Sequence, residues 1–508
     1  MGQILMPGFS GNPLLGLILR CALFLLAGVL CYLVSWSFIQ HSGDVAVLAI
    51  FHSSFFFLLV VSLLRPRFDT YFFLTLFLVL GFWVKWLSHR FFDYPFVEPV
   101  GQFSGDPGQV DLALKVASVA ALGVASCRLL IFFVGRFKFV NFSVNDCSGY
   151  PRVYSRFLPY VWGAIIFFAL LIYLANYNFA FFQVGVNAKL KLQFGLGALL
   201  AWLVYCGAPM AFILALDWEI ARRSDRYWPV IFGVCLFALV MSVSMASRAM
   251  LPFLYLAVGV SLYFHKPAYL SRMVSSWRWL LPIVMISFFV STMFLVSAFR
   301  VNTYRVEEVP QPPQEYQAPQ EYQAPQEYQG GGVLQPPPTV DSQALYKGMF
   351  FQVMQLAVDR WIGMEGVLAV ASSDKRDSSL LFSGVIEDPG KGVDAIYQRL
   401  AGSFYKHQDD VTFLTLPGVV AVLFYSGSLL VVFLGMMILT AILIAIEKLS
   451  LLMTRSRLLT SWVAILMANS ICQMNFPYLW GVFVLECCVA LIAVGIFRMI
   501  FSREFSHA

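Results

Sequence analysis

Charge is scarce in this chain: Asp, Glu, Lys and Arg make up 12% of its 508 residues, against 59% hydrophobic and 16% aromatic. A soluble domain carries about 25% charged residues. Half that amount cannot cover the cores that a chain this long would need, so ordinary soluble enzymes, fibres and secreted scaffolds are excluded. Histidine is sparse as well, at six, and no His-Glu-x-x-His occurs, which argues against a metal site. The nine cysteines (Cys21, Cys31, Cys127, Cys147, Cys206, Cys235, Cys472, Cys487, Cys488) sit in or beside apolar runs. They have neither metal-ligand spacing nor a disulfide framework, and read as small apolar packing residues. A Gly-x-x-x-x-Gly-Lys-Ser/Thr loop is also missing, so no nucleotide cofactor is expected and ATP-driven transport is excluded for this chain alone. The net charge of +6 is scattered through short loops, not gathered into a patch, and predicts no nucleic-acid partner.

What the chain has in abundance is long apolar runs. About 20 apolar residues cross roughly 30 Å of hydrocarbon. Twelve segments qualify: 14–38, 45–64, 71–88, 112–134, 157–174, 194–214, 227–246, 249–264, 279–298, 413–446, 458–474 and 479–501. The first is too long for a cleaved signal and is followed by further spans. The segment 249–264 is short. The segment 413–446 is long and contains Leu416-Pro417-Gly418 and Gly427, which predicts a half-buried lead-in to about 426 and then a true span. The expected class is an all-α polytopic membrane protein.

Lys and Arg set the orientation. With the N-terminus in the cytoplasm, the inner short loops hold 17 of them and the outer ones four: Arg90, Lys189, Lys191 and Arg248. Both termini are therefore expected in the cytoplasm. The chain then divides into spans one to nine (1–298), a large outer loop (299–412) and spans ten to twelve (413–508). That loop carries nine basic and 15 acidic residues, and a long loop with structure of its own is usually functional. Within it, 306–342 is low-complexity, with Pro-Gln-Glu-Tyr-Gln-Ala repeating over 313–329, and cannot bury enough apolar surface to fold. Near-helical spacing predicts an outer-surface helix or helix pair over 344–371 and a second helix over 393–406. Asp359, Gly363 and Gly366 fall at i, i+4 and i+7, placing a carboxylate with two glycines that permit close approach of a ligand or neighbouring backbone.

Candidate chemistry gathers on the outer side. Lys85, Arg90, Lys115, Lys189, Lys191, Arg248 and Arg300 would line the outer interface, either as lipid-headgroup anchors or as a site for an anionic headgroup such as a diphosphate. Arg248 closes the small-residue corner Ser242-Val243-Ser244-Met245-Ala246-Ser247, and Arg300 lies just past span nine. Asp359-Arg360-Trp361-Ile362-Gly363-Met364-Glu365-Gly366 combines acids, a cation and an aromatic ring, a set suited to stacking on a sugar and accepting its hydroxyls. The alternative is an ordinary surface pair on an interfacial helix. His407 could take a proton near neutral pH.

In this arrangement the chain resembles the Wzy-type O-antigen or oligosaccharide repeat-unit polymerases. The likeness rests on about twelve spans, Ser-x-Ser-x-x-Ser-Arg at an outer corner, one large outer loop and the Asp359–Gly366 motif. Trp86 to Gly101 (with Phe91-Phe92-Asp93-Tyr94-Pro95-Phe96) and Thr412 to Ser428 add to it. It covers most of the chain in architecture and only these motifs in sequence; the hexapeptide repeat is not part of the family pattern. The resemblance implies a GT-C-like fold in the bacterial inner membrane that works without metal or nucleotide sugar. It implies undecaprenyl-diphosphate-linked oligosaccharides as donor and acceptor, inversion at the anomeric carbon, and a partner protein that sets chain length. Arg248 and Arg300, with Arg360 adding to them, fit the diphosphate; Trp361 fits a sugar ring; Glu365, Asp359 or His407 fits the base. Two other functions suit the same features. An O-antigen ligase would use the same donor and fold, whereas a lipid-linked-oligosaccharide flippase would call for two similar halves and polar groups at mid-membrane, which the sequence does not display.

Overall fold

The computed structural model describes residues 13–63, 68–136, 152–190, 192, 196–222, 227–277, 280–303, 358–405 and 413–503. Among these the chain is all-helical, with one isolated β-bridge between Gln183 and Val186. The long helices are α1 (Pro13–Gln40), α2 (Val45–Leu63), α3 (Asp69–Phe92), α4 (Pro107–Arg136), α5 (Leu158–Phe179), α6 (Leu196–Arg222), α7 (Trp228–Ser244), α8 (Met250–His265), α9 (Pro267–Trp277) and α10 (Leu280–Thr303). After these come four short helices: α11 (Met364–Ala371), α12 (Ser378–Val385), α13 (Ile396–Ala401) and α14 (Gly418–Phe424). The last three are α15 (Leu429–Thr454), α16 (Arg457–Cys472) and α17 (Pro477–Arg503). Eight of the helices are long and apolar enough to cross a membrane, and shorter apolar helices occupy Ala27–Gln40, Trp228–Ser244, Met250–His265 and Arg457–Cys472.

Which helices sit inside follows from their side chains. Along α4, Ala113, Ala117, Ala120, Ala121, Val124 and Ala125 are all buried, and Gly123 brings its backbone against the carbonyl of Phe433 in α15. Small residues of this kind let helices approach closely where lipid offers no competing hydrophobic drive. α16 is buried on nearly every side and packs against α3 and α8, as a helix apolar around most of its circumference should in a core. α5 and α10 instead turn Phe167, Leu174, Ile286 and Phe294 outward.

Two of these helices carry π-turns, at Val79–Val84 in α3 and Leu203–Gly207 in α6. A π-turn widens the helix locally and often accompanies a functional site. The turn in α3 holds Gly81, whose missing side chain leaves room for the carbonyl of Ile362; reciprocally, Gly363 lies against the carbonyl of Gly81. Residues 358–366 are thus wedged into α3, backbone against backbone.

This overturns the expected outer-surface helix. Within the described part of 344–371, the helix breaks at Arg360–Gly363 and resumes as α11, so Asp359, Gly363 and Gly366 do not share one helical face. All eight residues of α11 are buried. The reason lies in its composition: Met364-Glu365-Gly366-Val367-Leu368-Ala369-Val370-Ala371 has a single polar side chain and no solvent face to offer. Gly366 also lies directly against the carbonyl of Pro417, so α11 and α14 pack as two short helices inside one end of the bundle. The long segment 413–446 resolves into α14, a break at Tyr425–Ser428, and α15. In the region expected helical over 393–406, α13 covers Ile396–Ala401 and ends at Gly402, which takes the left-handed conformation with φ 63°.

Candidate functional site

The wedge brings the loop acids to α3. Lys85 and His89 lie four residues apart, one turn beyond Gly81, and so share a helical face. Asp93 ends the helix in the left-handed region (φ 51°), a conformation that Asp tolerates better than most residues. The chain turns there and returns the carbonyl of Tyr94 to His89 Nδ1 at 2.9 Å.

Facing this turn, Lys85 Nζ pairs with the Glu365 carboxylate, donates to the Asp359 carbonyl at 3.3 Å and stands 4.0 Å from Asp359 Oδ1. Lys85 is fully buried, and the side chains of Asp359 and Glu365 are each 5% exposed. His89 Nε2 lies 2.8 Å from Asp359 Oδ1. Its ring stacks on Phe96 at 4.0 Å and meets Tyr94 edge-on at 4.3 Å. Because Nδ1 faces a carbonyl, it must carry a proton; one further proton then lies between Nε2 and Asp359. Lys85 and Glu365 form a second balanced pair, so the four groups carry no net charge in either proton arrangement. That balance is what makes burial tolerable.

The surrounding carboxyls and phenols show how dry the site is. Burial pushes the Glu365 carboxyl above the usual carboxylate range, against the pull of Lys85. Glu98 is raised by burial and then by Glu365. The Tyr94 hydroxyl is pushed up to about 12, first by burial and then by Asp359 and Glu365. Tyr405 donates to Glu98 Oε1 at 3.5 Å, and its ring is tilted against those of Phe404 and Phe413, at 4.6 and 5.9 Å. Asp359 Oδ2 and Glu98 Oε2 are buried with no hydrogen-bond partner among the described residues. The site therefore holds two buried oxygen acceptors without a partner among the described residues, beside aromatic faces.

The candidate residues separate into two groups. Asp359 and Glu365 come together on Lys85. Arg360 is exposed at the rim, close enough to act on Glu98 and Tyr405. Trp361 is half-buried, its ring against Phe77 of α3 at 5.8 Å, and Phe77 in turn meets Phe253 of α8 at 5.7 Å. Arg248 lies in the corner between α7 and α8, and Arg300 Nε donates to the Ala246 carbonyl of that corner at 2.9 Å. Ala246 is left-handed (φ 51°), a cost of about 1–2 kcal/mol for a residue with a Cβ. Bonds from outside hold the corner: Asn176 Nδ2 donates to the Ser244 carbonyl at 2.9 Å, and Val184 N donates to Met245 O at 3.1 Å. His407 lies outside the described residues.

Lys85 is the main correction to the sequence reading. It neither anchors a headgroup nor faces water, because the loop acids cover it completely. His89, Tyr94, Phe96, Glu98 and Tyr405 did not emerge from the sequence as site residues. The available signal was a lysine and a histidine on one face of an otherwise apolar span, which together require anionic partners from elsewhere in the chain.

The chain matches no family model, and no curated protein or solved structure resembles it at a significant level.

Proposed function

We propose that this membrane protein polymerises undecaprenyl-diphosphate-linked oligosaccharide repeat units at the periplasmic face of the bacterial inner membrane, as an inverting glycosyltransferase with twelve spans and a GT-C-like fold. The observation that carries the reading is the buried Lys85–Glu365–Asp359–His89 cluster, where a carboxylate with a spare oxygen is backed by a histidine and bordered by aromatic rings. Glycosyl transfer onto a hydroxyl needs such a base. It also needs cations on the departing diphosphate, and the Arg248–Arg300 corner supplies them.

In this mechanism an acceptor sugar hydroxyl binds at Asp359 Oδ2. Its oxygen attacks the donor's anomeric carbon while the bond from that carbon to the diphosphate oxygen breaks. The hydroxyl proton passes to the Asp359–His89 pair, and the bonding electrons leave with the diphosphate. Glu365 is held by Lys85, so its task is to fix that lysine beside Asp359, not to take the proton. Arg360 and Trp361 flank the base on the same loop segment.

The test is a deletion in the host, with lipopolysaccharide and exopolysaccharide resolved on a silver-stained gel. The expected result is a collapse from a ladder to core plus one repeat, restored by the wild-type chain but not by well-expressed Arg248→Ala. Bare core would indicate a ligase instead, and an unchanged ladder with unchanged exopolysaccharide would overturn the enzymatic reading altogether.

A further inference from the structure

Helix α12 presents an apolar face that nothing among the described residues covers. Asp377 caps it, with Oδ1 accepting from Leu380 N at 2.7 Å. Phe382, Val385 and Ile386, at i, i+3 and i+4, project from one side, with Phe382 66% and Ile386 62% exposed. Three exposed large apolar side chains within five residues, at the end of this helix and on its C-cap, are too concentrated for a watery surface.

The position of the helix identifies what covers them. On its inner side, Gly384 lies against the ring of Tyr425, at the break between α14 and α15, and Gly427 lies against the backbone of Arg376. α12 also packs against α17. The neighbouring ends of α15 and α17 expose Leu430, Tyr478 and Leu479, the residues a membrane-spanning helix turns toward lipid and its interface. Phe382 and Ile386 thus extend a lipid-facing surface sideways, at the level where the spans end. Ser378 and Ser379 are exposed in the first turn of the helix, and Asp374, Lys375, Arg376 and Asp377 precede it, so the segment enters the helix from a polar stretch suited to the headgroup plane.

We infer that α12 is an interfacial helix whose Phe382–Val385–Ile386 face is immersed in the bilayer leaflet at the site end of the bundle. It follows Glu365 by 13 residues, with the buried α11 between them, so its seat in the lipid holds the acid–base cluster at a set height above the membrane. The inference needs only that the bundle spans a bilayer and is independent of the reaction proposed above.

Photocrosslinking in the full-length protein tests it. Benzoylphenylalanine is placed singly at Phe382, at Ile386, at the exposed Lys375 in the polar segment before the helix, and at Phe167 on the exposed face of α5 as a lipid-facing reference. Host membranes are irradiated, and the purified protein is read by mass spectrometry. The expected result is phospholipid adduct at 382 and 386 comparable with that at 167 and several-fold above that at 375. A yield at 382 and 386 no greater than at 375, while 167 is labelled, would overturn the inference. So would adducts at 382 and 386 that are predominantly to protein, whether a covalent dimer or another chain.

Discussion

Helix α3 carries a buried carboxylate from a distant part of the chain at each of its ends, and the two are satisfied in opposite ways. At its first turn, Glu447 of α15 accepts from the backbone N–H groups of Asp69 and Thr70, both at 2.9 Å. Those donors have no partner within the helix, and the positive end of the helix favours the charge. At the far end, Glu365 and Asp359 are held by the side chains of Lys85 and His89. A carboxylate saturated by backbone amides on both oxygens has nothing left to offer a substrate. One held by a titratable ring, with an oxygen to spare, can exchange a proton. Equal burial therefore separates into a structural role and a chemical one according to the donors.

The sharpest break in that comparison is Asp359→Asn. The shape is retained and His89 keeps a partner, but the proton acceptor is lost, so polymerisation should fall about 10²–10⁴-fold at normal protein level. The assay is ladder formation normalised to membrane-extracted protein. If the ladder survives, the base lies elsewhere.

Lys85→Met leaves Glu365 buried without its cation and should destabilise by about 3–5 kcal/mol, seen as loss of folded protein in detergent thermal unfolding. Adding Glu365→Leu removes the stranded charge and should recover most of the stability without restoring activity. Glu447→Ala, at the other end, should cost about 2–6 kcal/mol by orphaning two buried N–H groups at about 1–3 kcal/mol each. Activity per folded molecule should be unchanged, which separates the two carboxylates directly.

The smallest effect is expected at Glu98. Burial raises its folded carboxyl above the unfolded value, so its contribution to stability is complete below the ordinary carboxylate range and is lost as pH rises through the raised value. Glu98→Gln stays neutral throughout. Its thermal midpoint should exceed that of the wild type slightly at about pH 8, and the difference should close toward about pH 4. A gap that widened on acidification would mean that Glu98 is charged in the folded site.

Much of the architecture was readable along the chain because a bilayer imposes a length and an apolarity that single segments either meet or fail. Pro417-Gly418 and Gly427 marked the break before α15. The stretch from Asp359 to Gly366 stood out because acids, a cation and two glycines are unusual together. The burial of α11 was legible in principle, since Met364–Ala371 offers one polar side chain, but a near-helical spacing that includes Asp359 and Arg360 reads as amphipathic until the break between them and Met364 is known.

Pairing across long separations is a different matter. Glu365 meets Lys85 from 280 positions away, and Glu447 reaches Asp69 from 378. Spacing along a helix predicts which residues share a face, yet it carries no information about what that face meets. Composition and periodicity made this a helical membrane protein with a chemically loaded loop. The packing of Gly81 against Ile362 and of Gly366 against Pro417 brought that loop inside, and so turned a lysine and a histidine on one span from interface residues into half of a buried, charge-balanced site. The physical reason is that a buried ionic group is tolerated only where three-dimensional packing delivers its partner.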